Sequence, residues 1–370
     1  MRLRTLSRIL ILSVVFLTIG FYLSINEKSD DSKVLIKEDQ TSEMKQSTPQ
    51  GADQTNGSQK PLEKPKEGLA LLIGQDVSNL EKEYGTPIRI DESMYGYQWY
   101  IYNQDHNRYL QVGVENNRVV TIFALGEGLN VAPFEIGQPV EEIFNTQFFD
   151  TNINLKVNGN TYRFELNDTD LNLRPMVRMG DIFVQLYIDK FTGNLSSVRF
   201  LNAETLVKQR PYELVYRGQL IKPPALSVDL INIVEQSTEQ QIFDITNALR
   251  IRHKVKPLVW DEKTAEVAFE HSEDMAQNND FSHTSKKFGD LSNRLKTAKI
   301  AYQTAGENIA ANYTDGPAVV EGWLNSKGHR DSLLNKEYSH LGVGVYEKYD
   351  IQKDVYEKYY TQNFIRKTKD

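Results

Sequence analysis

Two imidazoles and a carboxylate stand out among the groups in this chain that could do chemistry. His283 ends Phe281-Ser282-His283, Glu307 sits inside Gly306-Glu307-Asn308-Ile309-Ala310, and His329 follows Trp323-Leu324-Asn325-Ser326-Lys327-Gly328. Brought to one cavity, such a set serves a divalent metal or acid–base work. Each residue also has a plainer reading. His283 could bond within its loop, Glu307 could hold a neighbouring turn, and His329 could cap the preceding helix, where a cation is favoured. His271 flanks an apolar helical stripe and reads as a satisfied, partly buried core histidine, and Trp323 reads as core. Ser282 or Ser326 beside an imidazole would suit a Ser–His hydrolase, but the Gly-x-Ser-x-Gly elbow of that chemistry is absent.

The elements that must position this set follow a helical period from about Ser237. Ser237-x-x-Gln240 and Thr238-x-x-Gln241 fit capping boxes, and Ile242, Ile245 and Leu249 make one apolar stripe. Asp261 is a good N-cap for a second helix reaching about Asn278, with Ala265, Ala268, Phe269, Ser272, Met275 and Ala276 along its stripe. Gly316-Pro317 opens another helix, carrying Val320, Trp323 and Leu324. His340 to Tyr346 and Tyr359 to Phe364 read as strands. Helices on a short sheet give an α/β or α+β sandwich.

Upstream, residues 68–216 contain a short repeat. Ile73-Gly74-Gln75, Val77 and Leu80 recur at the same offsets as Ile136-Gly137-Gln138, Val140 and Ile143, a turn into a short amphipathic helix. Strands should follow at 98–102, 109–114 and 118–122, with Asn116-Asn117 as a hairpin turn. The second copy offers 161–166, 182–187 and 195–200. This predicts a duplicated α-β-β-β unit without a catalytic constellation; its one histidine, His106, falls in a solvated turn. Residues 217–236, with Pro223-Pro224, read as a linker to a unit spanning 237–367.

The amino terminus sets the compartment. Arg2, Arg4 and Arg8 form a basic flank over residues 1–8, ahead of an uncharged, mostly apolar run at 9–25. As a helix the run spans about 25 Å, near the short end for a bilayer. Glu27, Asp30 and Asp31 follow it, so the positive-inside bias leaves the start of the chain cytoplasmic and the bulk outside. No small-x-small cleavage site follows, which favours an uncleaved single-pass anchor over a signal peptide. Residues 26–67 are polar and form a tether that cannot bury enough apolar surface to fold. The absence of cysteine excludes disulfides, thiol catalysis and an acyl-cysteine anchor, and a net charge of −7 gives no sign of nucleic-acid binding.

Taken together and in order, eight stretches between Thr238 and Arg366 resemble the CAP (cysteine-rich secretory, antigen 5, pathogenesis-related-1), or SCP, superfamily. They are Asn247-x-x-Arg250, Pro257-Leu258-x-Trp260, His271-Ser272-x-x-Met275, Phe281-Ser282-His283, Gly306 to Ala310, Trp323-x-x-Ser326-x-Gly328-His329-Arg330, Gly342-Val343-Gly344 and Thr361-Gln362-x-Phe364. The small bacterial branch without disulfides is the nearest in look. The repeat segment resembles the CAP-associated N-terminal domain of spore-forming Gram-positive bacteria. This resemblance implies an α+β chain with a C-terminal α-β-α sandwich.

It also implies a cavity with two His and two acids, of which His283, Glu307 and His329 match three, with Ser326, Asn308 and Trp323 as neighbours. Ser326 stands where better-known members carry Glu. Glu321 cannot replace it if both lie on one helix, about 140° apart around the axis. Two imidazoles and one carboxylate suit Zn²⁺ with an open position for water, and suit Mg²⁺ or Ca²⁺ poorly.

Three functions follow from these readings: a binding module at the membrane or cell wall, a metal-assisted hydrolase of wall peptides or glycans with Glu307 as candidate catalytic residue, and a lipid carrier. The cysteine-bounded loop linked with sterol binding in relatives is missing. Glycoside hydrolysis ordinarily needs two carboxylates, and a zinc peptidase needs a base beyond its ligands. The balance falls on a binding module with a cell-wall or lipid ligand.

Overall fold

The repeated Ile-Gly-Gln turns found in the sequence build the amino-terminal domain. In the first copy Asp76 caps helix α1 (Val77–Tyr84), its carboxylate accepting from Ser78 N at 3.1 Å. Strands β1 (Arg89–Asp91), β2 (Gln98–Tyr102), β3 (Tyr109–Glu115) and β4 (Arg118–Leu125) then form an antiparallel meander. Asn116 and Asn117 both take positive φ to close the β3–β4 hairpin. The second copy supplies α2 (Val140–Thr146), β5 (Asn152–Val157), β6 (Asn160–Glu165), α3 (Asp168–Leu173), β7 (Met176–Met179), β8 (Ile182–Asp189), β9 (Asn194–Asn202), α4 (Ala203–Gln209) and β10 (Glu213–Arg217). Both turns dock alike. Gly74 and Val77 N–H groups donate to Val119 O and Asn117 O, and those of Gly137 and Val140 donate to Leu195 O and Gly193 O.

The computed structural model describes residues 62–368, so the expected anchor at 9–25 and all but the end of the 26–67 tether lie outside the described residues. Among the described residues, no helix is long and apolar enough to cross a membrane. The two copies meet where β4 pairs with β9, giving one antiparallel sheet in the order β1-β2-β3-β4-β9-β8-β7. The expected strand at 161–166 is present as β6 but leaves this sheet. It joins β5 and β10 in a three-stranded sheet, and β7 takes the place beside β8. The reason is a second apolar surface: Tyr162 and Phe164 pack with Leu206 and Val207 of α4.

The carboxy-terminal domain begins earlier than its apolar stripe suggests. Helix α5 runs Val228–Arg252, capped by Ser227 rather than near Ser237, so its first turns lie in the expected linker. Val228 and Ile233 are exposed, which left those turns without a buried stripe to read. Thr238, expected at a cap, is mid-helix and donates back to Val234 O at 2.8 Å. There follow β11 (Val259–Trp260), α6 (Glu262–Asn278), α7 (Leu291–Thr297), β12 (Tyr302–Ala311), α8 (Gly316–Leu324), α9 (Lys327–Leu333), β13 (His340–Asp350) and β14 (Val355–Lys367). The α6 start at Asp261 and the two final strands are where the sequence predicts them.

Sheet order here is β11-β13-β14-β12, with β11 parallel to β13 and the rest antiparallel. Alternation along β13 divides its work between two faces. Val343 and Val345 pack with Ile242 and Leu249 of α5 and Trp323 of α8. Gly342 and Gly344 lie against α6, so closely that a Cβ at Gly344 would sit 1.9 Å from Phe269 N. The Gly-Val-Gly motif therefore lets a helix rest directly on a strand. Helices on both faces of this sheet, behind the largely antiparallel amino-terminal domain, make the α+β architecture with an α-β-α sandwich.

The two domains share one core. Trp99 and Phe123 of the first sheet, with Tyr97 just before β2, belong to the same apolar cluster as Ile242, Trp323 and Val343. Buried polar groups cross the boundary too: Arg199 pairs with Asp315 at 2.8 Å, and Arg330 reaches both oxygens of Asp189 at 2.8 and 3.0 Å.

Candidate functional site

Glu307 stands on β12, the edge strand of the carboxy-terminal sheet, and its neighbours alternate between the faces. Its side chain turns toward α6 and α7. The next residue, Asn308, faces the other way, donating to Gln362 Oε1 at 3.2 Å and to the His329 carbonyl at 3.1 Å. Trp323 closes the edge, its indole N–H bonded to Ile309 O at 3.1 Å. A Cβ at Gly306 would fall 2.2 Å from Tyr338 Oη, so a larger residue there would have to displace the tyrosine ring.

His283 and Glu307 do meet: His283 Nδ1 lies 2.9 Å from Glu307 Oε1. The other carboxylate oxygen, Oε2, is taken by the Arg294 guanidinium of α7. Glu307 and Arg294 each expose only 4% of the side chain, whereas His283 exposes 49%. Arg294 also donates toward His271 Nδ1 at 2.7 Å and the His283 carbonyl at 3.3 Å. Accepting at Nδ1 puts the His271 proton on Nε2, which stands 3.8 Å from Glu307 Oε1, beyond hydrogen-bond reach. That nitrogen is buried and without a hydrogen-bond partner. Burial pushes His271 down to about 4, against the pull of Glu307.

His329 approaches from α9. Burial pushes it down to about 4 as well, with a further push from the nearby His283, so this imidazole is neutral at neutral pH. Its backbone, through Asn308, fixes where α9 meets the sheet. Ser326 caps α9 by backbone geometry without a side-chain bond. Asn325 and Ser326 separate α8 from α9, so Glu321 and Ser326 do not share the single helix expected. Glu321 instead points into the domain boundary, accepting from Ser196 Oγ at 2.9 Å and Ser197 Oγ at 2.5 Å.

Of the three expected zinc ligands, His283 and Glu307 are in direct contact. Among the described residues, no three of His, Cys, Asp and Glu are grouped to hold a metal ion. The Arg294 cation neutralises Glu307 from its Oε2 side, while Oε1 faces His283. Nothing in Leu291-Ser292-Asn293-Arg294 marks an inward-facing arginine; only its amphipathic spacing from Leu291 and Leu295 hints at it. The helical stripe predicts His271 as a core histidine. It is one, and it is also the second imidazole beside Glu307.

Other motif residues are structural. Asn247 and Leu258 bond reciprocally at 2.7 and 3.0 Å, and Arg250 donates to the carbonyls of Lys256, Leu333 and Asn335, pinning α5 to the end of α9.

A helix-flanked four-stranded sheet with a histidine–glutamate pair at its edge, behind a duplicated sheet domain, defines the class. Residues 243–364 match the cysteine-rich secretory protein (CAP) family, and residues 73–212 match the CAP-associated N-terminal domain. The chain belongs to the CAP family. It is 50% identical over 321 residues to YlbC of Bacillus subtilis (strain 168), called an uncharacterized membrane protein, covering 87% of this chain and 90% of that one. An extracellular SCP-domain protein from Bacillus anthracis superposes with a TM-score of 0.76 at 44% identity, over 84% of this chain and 99% of that one. A cysteine-rich secretory protein from Staphylococcus aureus gives 0.71 at 30% identity, over 83% and 98%.

Proposed function

We propose that this protein is a membrane-anchored, extracytoplasmic binding module whose ligand comes from the cell wall or the membrane, held at the cavity of His283, Glu307 and His329. One observation carries the choice of binding over hydrolysis. Both oxygens of Glu307 are already engaged, one by His283 and one by Arg294, so the carboxylate is not free to serve as a general base. What the site offers a ligand is an exposed imidazole backed by a neutralised buried pair, which suits recognition. The basic flank and the apolar run at 9–25 support the anchor, as do the names of the Bacillus relatives, one called a membrane protein and one extracellular.

Two experiments test this. Purified full chain is incubated with muropeptides or whole wall, with and without zinc, and products are sought by mass spectrometry. No new product is expected; products lost in both His329→Ala and Glu307→Gln would replace binding with metal-assisted hydrolysis. Protease added to intact protoplasts should remove the carboxy-terminal domain, and full protection of that domain would refute the topology.

A further inference from the structure

A cavity of about 750 Å³ opens where the two domains and their connecting segment meet, away from the His283 site. Its walls come from the β1–β2 loop at Tyr95, the end of α4 at Arg210, the segment around Pro223, the β12–α8 loop at Tyr313, and the β13–β14 hairpin. Neither domain alone supplies it. The volume falls within the range of small-molecule sites.

Its lining carries an excess of positive groups. Five Lys and Arg side chains face it against two carboxylates, in a chain whose net charge is −7. The two carboxylates are already committed: Asp354 to Lys222, and Glu357 to Lys353 at 2.8 Å. Lys358 is buried and bonds only neutral oxygens, Thr314 O at 2.7 Å and Tyr95 Oη at 3.2 Å. Arg210 donates to two carbonyls, Ile221 O at 3.2 Å and Val207 O at 3.4 Å, and has no carboxylate partner among the described residues. Burial correspondingly pulls its guanidinium below the usual value. Arg210 also holds a left-handed backbone (φ 47°) at the end of α4, a position that favours glycine or asparagine. An arginine kept there, with no carboxylate bonded to it and only the more distant pull of Asp354, costs stability unless an anion uses it.

Between these cations lie aromatic faces. Tyr349 and Tyr356 have ring centroids 5.1 Å apart, and Tyr349 Oη is tied to Asp354 at 2.5 Å. Tyrosine offers flat area and a hydroxyl at low entropy cost, which suits the ring of a sugar; guanidinium and ammonium groups suit a carboxylate or phosphate.

We propose that this interdomain cavity is a second binding site, for an acidic saccharide whose carboxylate or phosphate meets Arg210 and Lys358 and whose ring lies against Tyr356. The site is independent of the reading given to His283 and Glu307. Because both domains and their connecting segment build it, occupancy also ties the two domains together.

The test is calorimetric titration of the purified full chain with digalacturonate, glucose 6-phosphate, maltose and inorganic phosphate. At least one acidic sugar should saturate with a Kd below ~1 mM, with maltose and inorganic phosphate at least about tenfold weaker. The ratio between the two acidic sugars tells carboxylate from phosphate recognition. Arg210→Gln removes the charge while leaving an amide donor near Val207 O, and should weaken the acidic sugar about tenfold or more. Tyr356→Leu, on an exposed hairpin, should weaken it at least about threefold and decides the matter if the arginine variant fails to fold. Saturation by no probe below ~10 mM, maltose or inorganic phosphate binding as well as the acidic sugars, or wild-type binding by the folded variants would each overturn the proposal.

Discussion

Arg294 and Glu307 face each other as a buried ion pair, and through it α7 is locked to the edge strand β12. Removing one member of such a pair leaves a buried charge without compensation, at a cost of about 3–5 kcal/mol. Arg294→Met is therefore expected to lose about that much stability by urea denaturation. His283→Ala should lose no more than about 1 kcal/mol, because its side of the contact is solvent-exposed. Equal losses in the two variants would show that the imidazole holds the carboxylate as firmly as the guanidinium does.

The same pair governs metal affinity. Zinc titrated into wild type and into His283→Ala should give equal heats, since Arg294 neutralises the carboxylate in both. Arg294→Ala frees Glu307 beside two imidazoles, and zinc should then raise its melting temperature, a gain that the added Glu307→Gln change removes. A saturable, His283-dependent heat in wild type would restore the three-ligand reading.

One core and several buried polar ties make the two domains a single folding unit. Calorimetry should show one transition for both domains. Arg199→Met, which leaves Asp315 buried and unpaired, should lower it by about 3–5 kcal/mol of stability. Two well-separated transitions in wild type would contradict the shared core.

Stability should depend on pH with a definite sign above 6.5. Burial raises Glu239 to about 8, with neighbouring Glu235 and Glu262 adding to it; burial also raises Glu235 and Glu321 to about 7. Folded pKa values above the unfolded value of 4.5 mean that the folded state holds protons the unfolded chain has released, so stability falls as pH rises toward 8. His271 and His329, lowered from 6.5 to about 4, act the other way below 6.5. The melting temperature should decline from pH 6.5 to pH 8.5, where the histidines no longer oppose the carboxylates. Glu239→Gln, which can still accept the Val345 N–H bond, should flatten the decline. A flat upper limb in wild type would contradict the burial of these carboxylates.

The glycines of β13 set the spacing of the sandwich. Gly344→Ala places a Cβ 1.9 Å from the Phe269 nitrogen, and helix backbone cannot yield as a flexible side chain would. A loss of about 1–3 kcal/mol or more is expected by denaturation. A neutral effect would mean that α6 is free to move away from the strand.

What could be read in the sequence was local. The Ile-Gly-Gln repeat, the Asn116-Asn117 turn, the Asp261 cap and the alternation of the last two strands each depend on a few neighbouring residues, and each appears where expected. The meeting of His283 with Glu307 was legible only because their motifs occur together in a known order. The start of α5 was hidden because its first turns bury almost nothing, and β6 left its expected sheet because α4, far along the chain, offered another apolar face. The tertiary structure alone decided the character of the site. An arginine on α7, a histidine on α6 and a glutamate on β12 carry no shared spacing, yet packing α6 and α7 on one face of the sheet makes them neighbours. Charge compensation in a buried place is a property of that packing, and so is the interdomain cavity, since neither is encoded by residues adjacent in the chain.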